Sequence, residues 1–329
     1  MKLPDRRTGR GTAQIADHNS RAILELLRRS GPLTRNELAG SLGLTIPGIT
    51  NITRRLLGEG LVTETRRKTP SAAVPTAHYA IDPDGAFAIG ARQRGSKAEG
   101  ILVDLIGNIR DRREATDIGR VISALEKASG PSANIVGIGI ASEHAEVDGT
   151  LVESPVIAAT LAEWSASPGN AANGLAMVLI EDRIRAGLFF HGRPFAGVHG
   201  RAGRIGEMRT GPDRRPLDEI ASAASYRAVA KRDAARDDWI HDAAQHLLDA
   251  VFALTGFLGL GRVVIGGDLP PAIVESLIAE MARVSAARVH EATALDLPEI
   301  LPAAAGADAV LMGAALLPFF AKLLPGSHG

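Results

Sequence analysis

Asn51 and Arg54, one helical turn apart, are the residues in this chain best equipped to read a nucleic acid. An Asn amide can bond adenine at two points, and an Arg guanidinium can bond guanine or a phosphate. Around them stand Thr45, Pro47, Gly48, Thr50 and Arg55, with Arg66 and Arg67 a short distance along the chain. At about 100° per residue, Pro47, Asn51 and Arg54 share one helical face, while Ile49, Ile52 and Leu56 share the opposite, inward one. Gly48 leaves the backbone of the outward face open to close approach by a duplex.

The elements that must position these groups are legible nearby. Residues 18–29 (HNSRAILELLRR) place Ile23, Leu26 and Leu27 on one face of a helix that Gly31 and Pro32 end. Thr34 and Glu37 have the spacing of a capping box and start a second helix with Leu38 and Leu42 on its buried side. Gly43 permits a tight turn. Thr45 then caps the third helix, which runs to about Leu57, and Pro47 is tolerated in the first turn because amides there have no intrahelical partner. GEGLVTETRRK follows as a turn, a strand over Leu61 to Thr65 and a basic tip of Arg66, Arg67 and Lys68, with a return strand expected after Pro75. Two helices, a tight turn, a basic helix and a hairpin predict a winged helix-turn-helix over residues 1–75.

Charge supports this division. Residues 1–75 hold thirteen Lys/Arg against six Asp/Glu, leaving 24 against 31 in residues 76–329, although the whole chain is neutral. A basic head on an acidic body fits one module that faces DNA and another that does not. The absence of cysteine excludes disulfides and thiolate metal sites. The basic start lacks the apolar core of a signal peptide, and no apolar run is long enough to span a bilayer, so a cytoplasmic protein is expected.

Beyond residue 76, three short strand-like runs (86–92, 98–105 and 108–115), a helix (121–128) and an apolar strand (134–141) predict an α/β body with a mixed sheet. Further on come a long helix (239–257), a strand (262–265), another helix (271–283) and a terminal helix (306–323).

The order of motifs resembles the ROK family, which groups bacterial sugar kinases with sugar-responsive repressors. The resemblance spans nearly the whole chain. It rests on NSRAILELLRRSGPLTRNELAGSLGLT and GEGLV in the head, then GILVDLIGNI, VGIGIA, AGLFFHGRPFAG, HGRAGRIGEM, RVVIGGDLP and MGAALLP. It implies an actin-like ATPase-type (RNase H-like) body of two α/β lobes, shortened in the first. The lobes are expected to divide near 170–185, with the terminal helix returning to the first.

The departures from the family pattern bear on chemistry. Where its kinases carry a strand-turn phosphate motif of Asp, two Gly and Thr, this chain has Arg92 to Lys97 (RQRGSK), and where the second phosphate loop should be glycine-rich it has Glu181 to Arg185 (EDRIR). Phosphate loops need glycine so that bare amides can reach the anion, and acidic side chains there repel it. The family's Asn-Asp pair, whose Asp is the general base, is missing, although Gly266 and Gly267 on the adenosine side remain. At the zinc and sugar motif, Arg204 stands at the Glu position, Glu207 at the His position and Asp218 at the final Glu. No catalytic residue, metal or cofactor is therefore expected.

Arg204, Glu207 and Asp218 remain as candidate ligand-binding residues. A cation at Arg204 favours an acidic sugar, a sugar phosphate or another anion; alternatively, Arg204 pairs with Glu207 or Asp218 and closes the site. The expected partners are a double-stranded DNA operator, a small sugar-like or anionic effector, and a second copy in a homodimer or higher homo-oligomer. Two other readings stay open on the sequence: an active sugar kinase with a DNA-binding head, and an interaction module without specific DNA binding.

Overall fold

A computed structural model describes residues 8–67, 75–143, 148–166, 174–288 and 297–325. Helix α1 (Thr8–Ser30) ends in Gly31 at positive φ, and the two-residue strand β1 (Leu33–Thr34) leads into α2 (Arg35–Leu42). The capping box forms as the spacing predicts: Glu37 N–H donates to the Thr34 hydroxyl at 3.3 Å, and Thr34 N–H donates to the Glu37 carboxylate at 2.7 Å. The backbone bond from Thr34 holds the Glu37 carboxyl below the usual carboxylate range. Gly43 closes α2 in the left-handed conformation at φ 64°.

Helix α3 (Ile46–Gly58) buries Ile49, Thr53 and Leu56. Ile52, expected inward, is only half-buried. Thr53 takes the inward place, and its hydroxyl donates to the Ile49 carbonyl at 2.9 Å, so burial leaves no polar group unpaired. Strands β2 (Val62–Arg67) and β3 (Thr76–Ile81) pair antiparallel, and β1 adds to the far side of β3, giving the order β1-β3-β2. The sheet corrects the expected end of the head at residue 75: the return strand belongs to the wing and carries it to Ile81. Lys68 of the expected basic tip lies outside the described residues.

The chain divides into two compact units. The first takes in residues 1–140, 147–151 and 315–329. In it a meander of β4 (Phe87–Arg94), β5 (Lys97–Asp104) and β6 (Ile109–Ala115) is followed by α4 (Ile118–Ser129), capped by Asp117, and β7 (Ile135–Ala141). With β8 (Leu151–Glu153) the sheet order is β6-β5-β4-β7-β8. Helix α4 lays Val121 and Leu125 on Ile89, Ala98 and Leu102, and Gly100 makes the close approach possible, since a Cβ there would meet Val121 Cγ1 at 2.4 Å.

The second unit takes in residues 141–146 and 152–314, so the division falls at Ile140/Ala141 and not near 170–185. The reason is α5 (Pro155–Ala166), which packs on β9 (Leu175–Ile180) and β10 (Ile184–Phe190) and is drawn into their unit. Strand β11 (Arg193–Pro194) extends the sheet. A small hairpin of β12 (Arg209–Thr210) and β13 (Arg215–Pro216) precedes α6 (Leu217–Ala221), α7 (Ala223–Val229) and the long α8 (Asp233–Leu258). Strand β14 (Arg262–Gly267), α9 (Pro271–Arg288) and β15 (Glu299–Pro302) complete a five-stranded sheet in the order β11-β10-β9-β14-β15, parallel through β9, β14 and β15. Its core joins Val178, Ile180 and Ile265 of the sheet to Leu247, Leu248 and Val251 of α8. Helix α10 (Ala309–Lys322) crosses α5 at Gly313, where a Cβ would meet the Ala158 carbonyl at 1.7 Å.

Candidate nucleic-acid interface and body pocket

The third helix of the head presents the chemistry its sequence predicts. Thr45 caps it, accepting from Gly48 N–H at 3.3 Å, and Pro47 sits in its first turn. Asn51 and Arg54 are exposed on the face opposite Ile49 and Leu56, and Thr45 and Pro47 are exposed as well. Gly48 is half-buried, and a Cβ there would meet only the Thr45 hydroxyl, at 3.2 Å. The Thr50 hydroxyl donates to the Ile46 carbonyl at 2.8 Å, which leaves its lone pairs outward. Arg55 differs from Arg54: it reaches Ser20 of α1 and lies 3.8 Å from Glu59, so it braces the helix against its neighbour.

The wing is anchored by residues the sequence did not single out. Tyr79 on β3 is fully buried and donates its hydroxyl to Glu64 on β2 at 2.8 Å; burial and that bond push its pKa up to about 12. Arg35 lies over the Tyr79 ring at 5.0 Å and 3.7 Å from Glu64. Arg66 and Arg67 are exposed on β2, with Arg66 3.7 Å from Glu64.

In the body, the positions that phosphate chemistry would use are filled otherwise. Arg92 is buried on β4 and donates to Glu99 on β5 at 3.1 and 3.2 Å. The turn between β9 and β10 spends its backbone internally. Glu181 N–H donates to the Arg183 carbonyl at 3.3 Å, Ala223 N–H donates to the Glu181 carbonyl at 2.9 Å, and Asp182 pairs with Arg227. Gly267 has a packing reason of its own, since a Cβ there would meet the Ile180 carbonyl at 2.3 Å. An acidic turn without glycine does not fit a nucleoside triphosphate. Around the β12–β13 hairpin, the buried Thr210 hydroxyl and His246 Nδ1 lie 2.7 Å apart, and Gly211 N–H donates to Asp249 at 3.3 Å. Among the described residues no group of three His, Asp or Glu is placed to hold a metal.

Arg204, Glu207 and Asp218 do not converge on one pocket. Arg204 and Glu207 are 3.9 Å apart and half-exposed. Asp218, at the start of α6, accepts from Ile184 N–H at 2.6 Å and packs against Gly206, tying α6 to β10. Arg204 instead lines a small concavity of about 40 Å³, together with Arg185, Gly187, Ser154, Glu143 and Phe195. Arg185 escaped sequence reasoning, because its alternation with buried Ile184 and Ala186 on β10 shows only once the strand is known. The one available signal was the run Gly197, Gly200, Gly203, Gly206. Gly203 sits at φ 76°, and a Cβ there would meet the Ala186 carbonyl at 1.7 Å, so only glycine lets this loop lie on β10.

Residues 17–63 match the winged helix-turn-helix DNA-binding family. Over 92% of this chain and 96% of the other, the structure is similar to a ROK family transcriptional regulator, a homolog of the E. coli MLC protein, with a TM-score of 0.70 at 17% identity. The chain shares its fold with this structure. A ROK family protein from Streptococcus pneumoniae in complex with sucrose matches 72% of this chain and 99% of its own (TM-score 0.58, 17% identity). A ROK family glucokinase from Streptomyces griseus, in complex with glucose and AMPPNP, matches 70% and 98% (TM-score 0.55, 16% identity). The ROK fold is thus common to regulators and sugar kinases, and in this chain a winged helix precedes it. In sequence, the chain is 24% identical to an uncharacterised protein of Sinorhizobium fredii, y4fQ, over 94% of this chain and 92% of that one. Among the described residues no helix is long and apolar enough to cross a membrane.

Proposed function

We propose that the protein is a DNA-binding transcriptional regulator of the repressor type, acting on carbohydrate-related genes in the cytoplasm. Its ROK-like body serves to bind an effector and to dimerise, and performs no phosphoryl transfer. The observation that carries this reading is the outward face of α3, where Asn51 and Arg54 stand exposed on a capped helix within a winged sheet. Phosphate contacts from Arg66, Arg67 and the cap at Thr45 would fix the register, while Asn51 and Arg54 read base edges. A head of this kind acts on paired half-sites, which calls for a homodimer.

Fluorescence anisotropy with the promoter of the protein's own operon tests the reading. Specific binding that weakens steeply with salt is expected, because each neutralised phosphate releases a counterion. Binding no tighter than to random duplex would sink it. The kinase alternative has a test of its own, a coupled assay with ATP and common hexoses. No turnover is expected, because the β9–β10 turn is acidic and no Asn-Asp pair stands ahead of it.

A further inference from the structure

We infer that Arg21 is a latch: it fixes the orientation of the winged head on the first lobe and, with it, the position of α3. On the regulator reading above, on which its consequence for DNA rests, Arg21 thereby sets the half-site spacing that the dimer accepts.

Two attachments of different kinds hold the head to the first lobe. One is backbone against backbone. Gly85, just ahead of β4, lies so close to the turn after α3 that a Cβ on it would meet the Gly60 carbonyl at 2.2 Å. Asp82 N–H donates to the Leu61 carbonyl at 3.0 Å, and the Asn134 side-chain amide donates to the Gly85 carbonyl at 2.9 Å. A contact confined to a few adjacent residues is a pivot, which fixes a point and leaves rotation about it open.

The other attachment removes that rotation, and it joins α1 to the end of α10. Leu324 N–H, which would serve the Phe320 carbonyl in a regular helix, goes instead to Phe319 at 2.8 Å. Arg21 donates one guanidinium nitrogen to the Phe320 and Leu324 carbonyls, at 3.4 Å each. The helix dipole also favours a cation at this end. Lys322 in the same turn donates to the Val136 carbonyl of β7, and a Cβ on Gly137 would meet Pro318 at 3.0 Å. The end of α10 is therefore itself held on the sheet of the lobe.

What Arg21 holds passes directly to α3. Its chain neighbour Ser20 is buried and accepts from Arg55 of α3. Consecutive residues of a helix point about 100° apart, so α1 turns one side to α10 and the next to α3. Ile23 and Leu27 of α1 and Ile49 and Leu56 of α3 are buried as well, and the two helices pack together. Close-packed helices transmit displacement, so α1 and α3 move as one body and carry Asn51 and Arg54 with them. Arg21 is a positioning residue, acting on base readout through α3 and not by contact with DNA.

The chain has no cysteine, so spin labels can be placed at Ser30→Cys in the head and Glu126→Cys on α4, both exposed positions. Double electron–electron resonance on the DNA-free full chain is expected to give one narrow distance distribution. Arg21→Ala should broaden it roughly twofold or more as rotation about the pivot opens, and Arg21→Lys, which keeps a cation at the helix end, should narrow it again in part. Arg21→Gln provides the same comparison should Arg21→Ala fail to melt cooperatively. A distribution unchanged by these substitutions, or one already broad in the wild-type chain, would overturn the latch.

Anisotropy reads the consequence, with the footprinted operator of the protein's own promoter and the same duplex carrying one base pair inserted between its half-sites. The insertion turns one half-site by about 34° against the other. Wild type is expected to bind the inserted duplex roughly tenfold or more weakly, and Arg21→Ala to reduce that ratio at least about threefold. A substitution that merely loosened the fold would weaken both duplexes alike, and an unchanged ratio would count against Arg21 as decisively as unchanged distances. A wild-type chain that binds neither duplex specifically defeats the regulator reading instead, and the label distances, measured without DNA, still decide the latch.

Discussion

Helix α3 and the wall of the body concavity both hold polar groups in place, but by different means. In the head, α3 is fixed by bonds between residues three or four apart: Thr45 to Gly48, Thr50 to Ile46, Thr53 to Ile49. In the body, residues 184–206 are fixed by bonds to distant segments: Ile184 to Asp218, Ala186 to Gly203, and Gly187 pressed onto Thr160 of α5. Local fixation leaves the outward side chains of α3 free to specify a base sequence without altering the scaffold. Long-range fixation preserves the body's backbone while the side chains around it change. That is how Glu181 and Asp182 can stand in place of a glycine-rich turn between an intact β9 and β10.

The largest effect that could break this contrast is at Gly203. Gly203→Ala adds a Cβ that would meet the Ala186 carbonyl at 1.7 Å at a backbone φ of 76°. The expected loss is about 3 kcal/mol or more, from overpacking and left-handed strain together. Gly43→Ala in the head is the control: φ is 64° but nothing lies within 4 Å, so the loss should be about 1 kcal/mol. Urea denaturation measures both, and similar losses would show that the body loop is no more constrained by its surroundings than the head turn.

Next in size come the residues proposed to face the groove. Asn51→Ala and Arg54→Ala should each cost roughly 1–3 kcal/mol of operator affinity if they read bases, with little change in folding stability. Arg55→Ala sharpens the comparison within one helix. Its bonds to Ser20 and its approach to Glu59 predict a change in thermal stability and a smaller change in base preference. Anisotropy on single-base operator variants distinguishes them, and a footprint unchanged in both the Asn51 and Arg54 variants would move base readout elsewhere.

Thr34→Ala probes the local bonds directly. Removing the hydroxyl unmakes the bonds to Glu37 and should cost about 1 kcal/mol. Since Glu37 is held below its ordinary value in the fold, its contribution is complete above the unfolded carboxylate range and is lost as pH falls through the lower folded value. The difference between wild type and Thr34→Ala should therefore shrink on acidification, and a difference constant with pH would place the cap's benefit elsewhere.

The same contrast explains what the sequence disclosed. Thr34, Glu37, Gly43 and Thr45 act within a few residues of themselves, so the head's helices and turn were legible, although its end was set six residues before Ile81 because pairing across the wing is not a local signal. The meander and the β14 strand were legible as alternating or apolar runs. Helix α5 was not, because Val156, Ala158, Ala159, Leu161, Ala162 and Ser165 bury nearly all round and leave no amphipathic period. Strand β9 is buried at every position and reads only as an apolar run. Arg204, Glu207 and Asp218 were named through resemblance, whereas the place of Arg185 beside Arg204 needed the register of β10, and only the fold reveals the bond from Ile184 to Asp218.

The smallest expected effect tests a buried carboxylate in the body against the exposed one at Glu37. Glu163 on α5 is buried and accepts from Ala304 N–H at 3.1 Å and Ala305 N–H at 3.3 Å. Burial raises its pKa, with the two amides and the charge of Arg262 opposing the rise. The sign is opposite to that at Glu37. The folded state binds this proton more readily than the unfolded chain, so wild-type stability falls as pH rises from the unfolded value through the raised folded one, and it recovers on acidification. Glu163→Gln removes that proton and should flatten this part of the profile. The stability of wild type relative to the variant is therefore expected to fall with rising pH across that window. Urea denaturation of both proteins in that range measures it, and a wild-type advantage that grew with pH would mean that the two amides outweigh desolvation at this site.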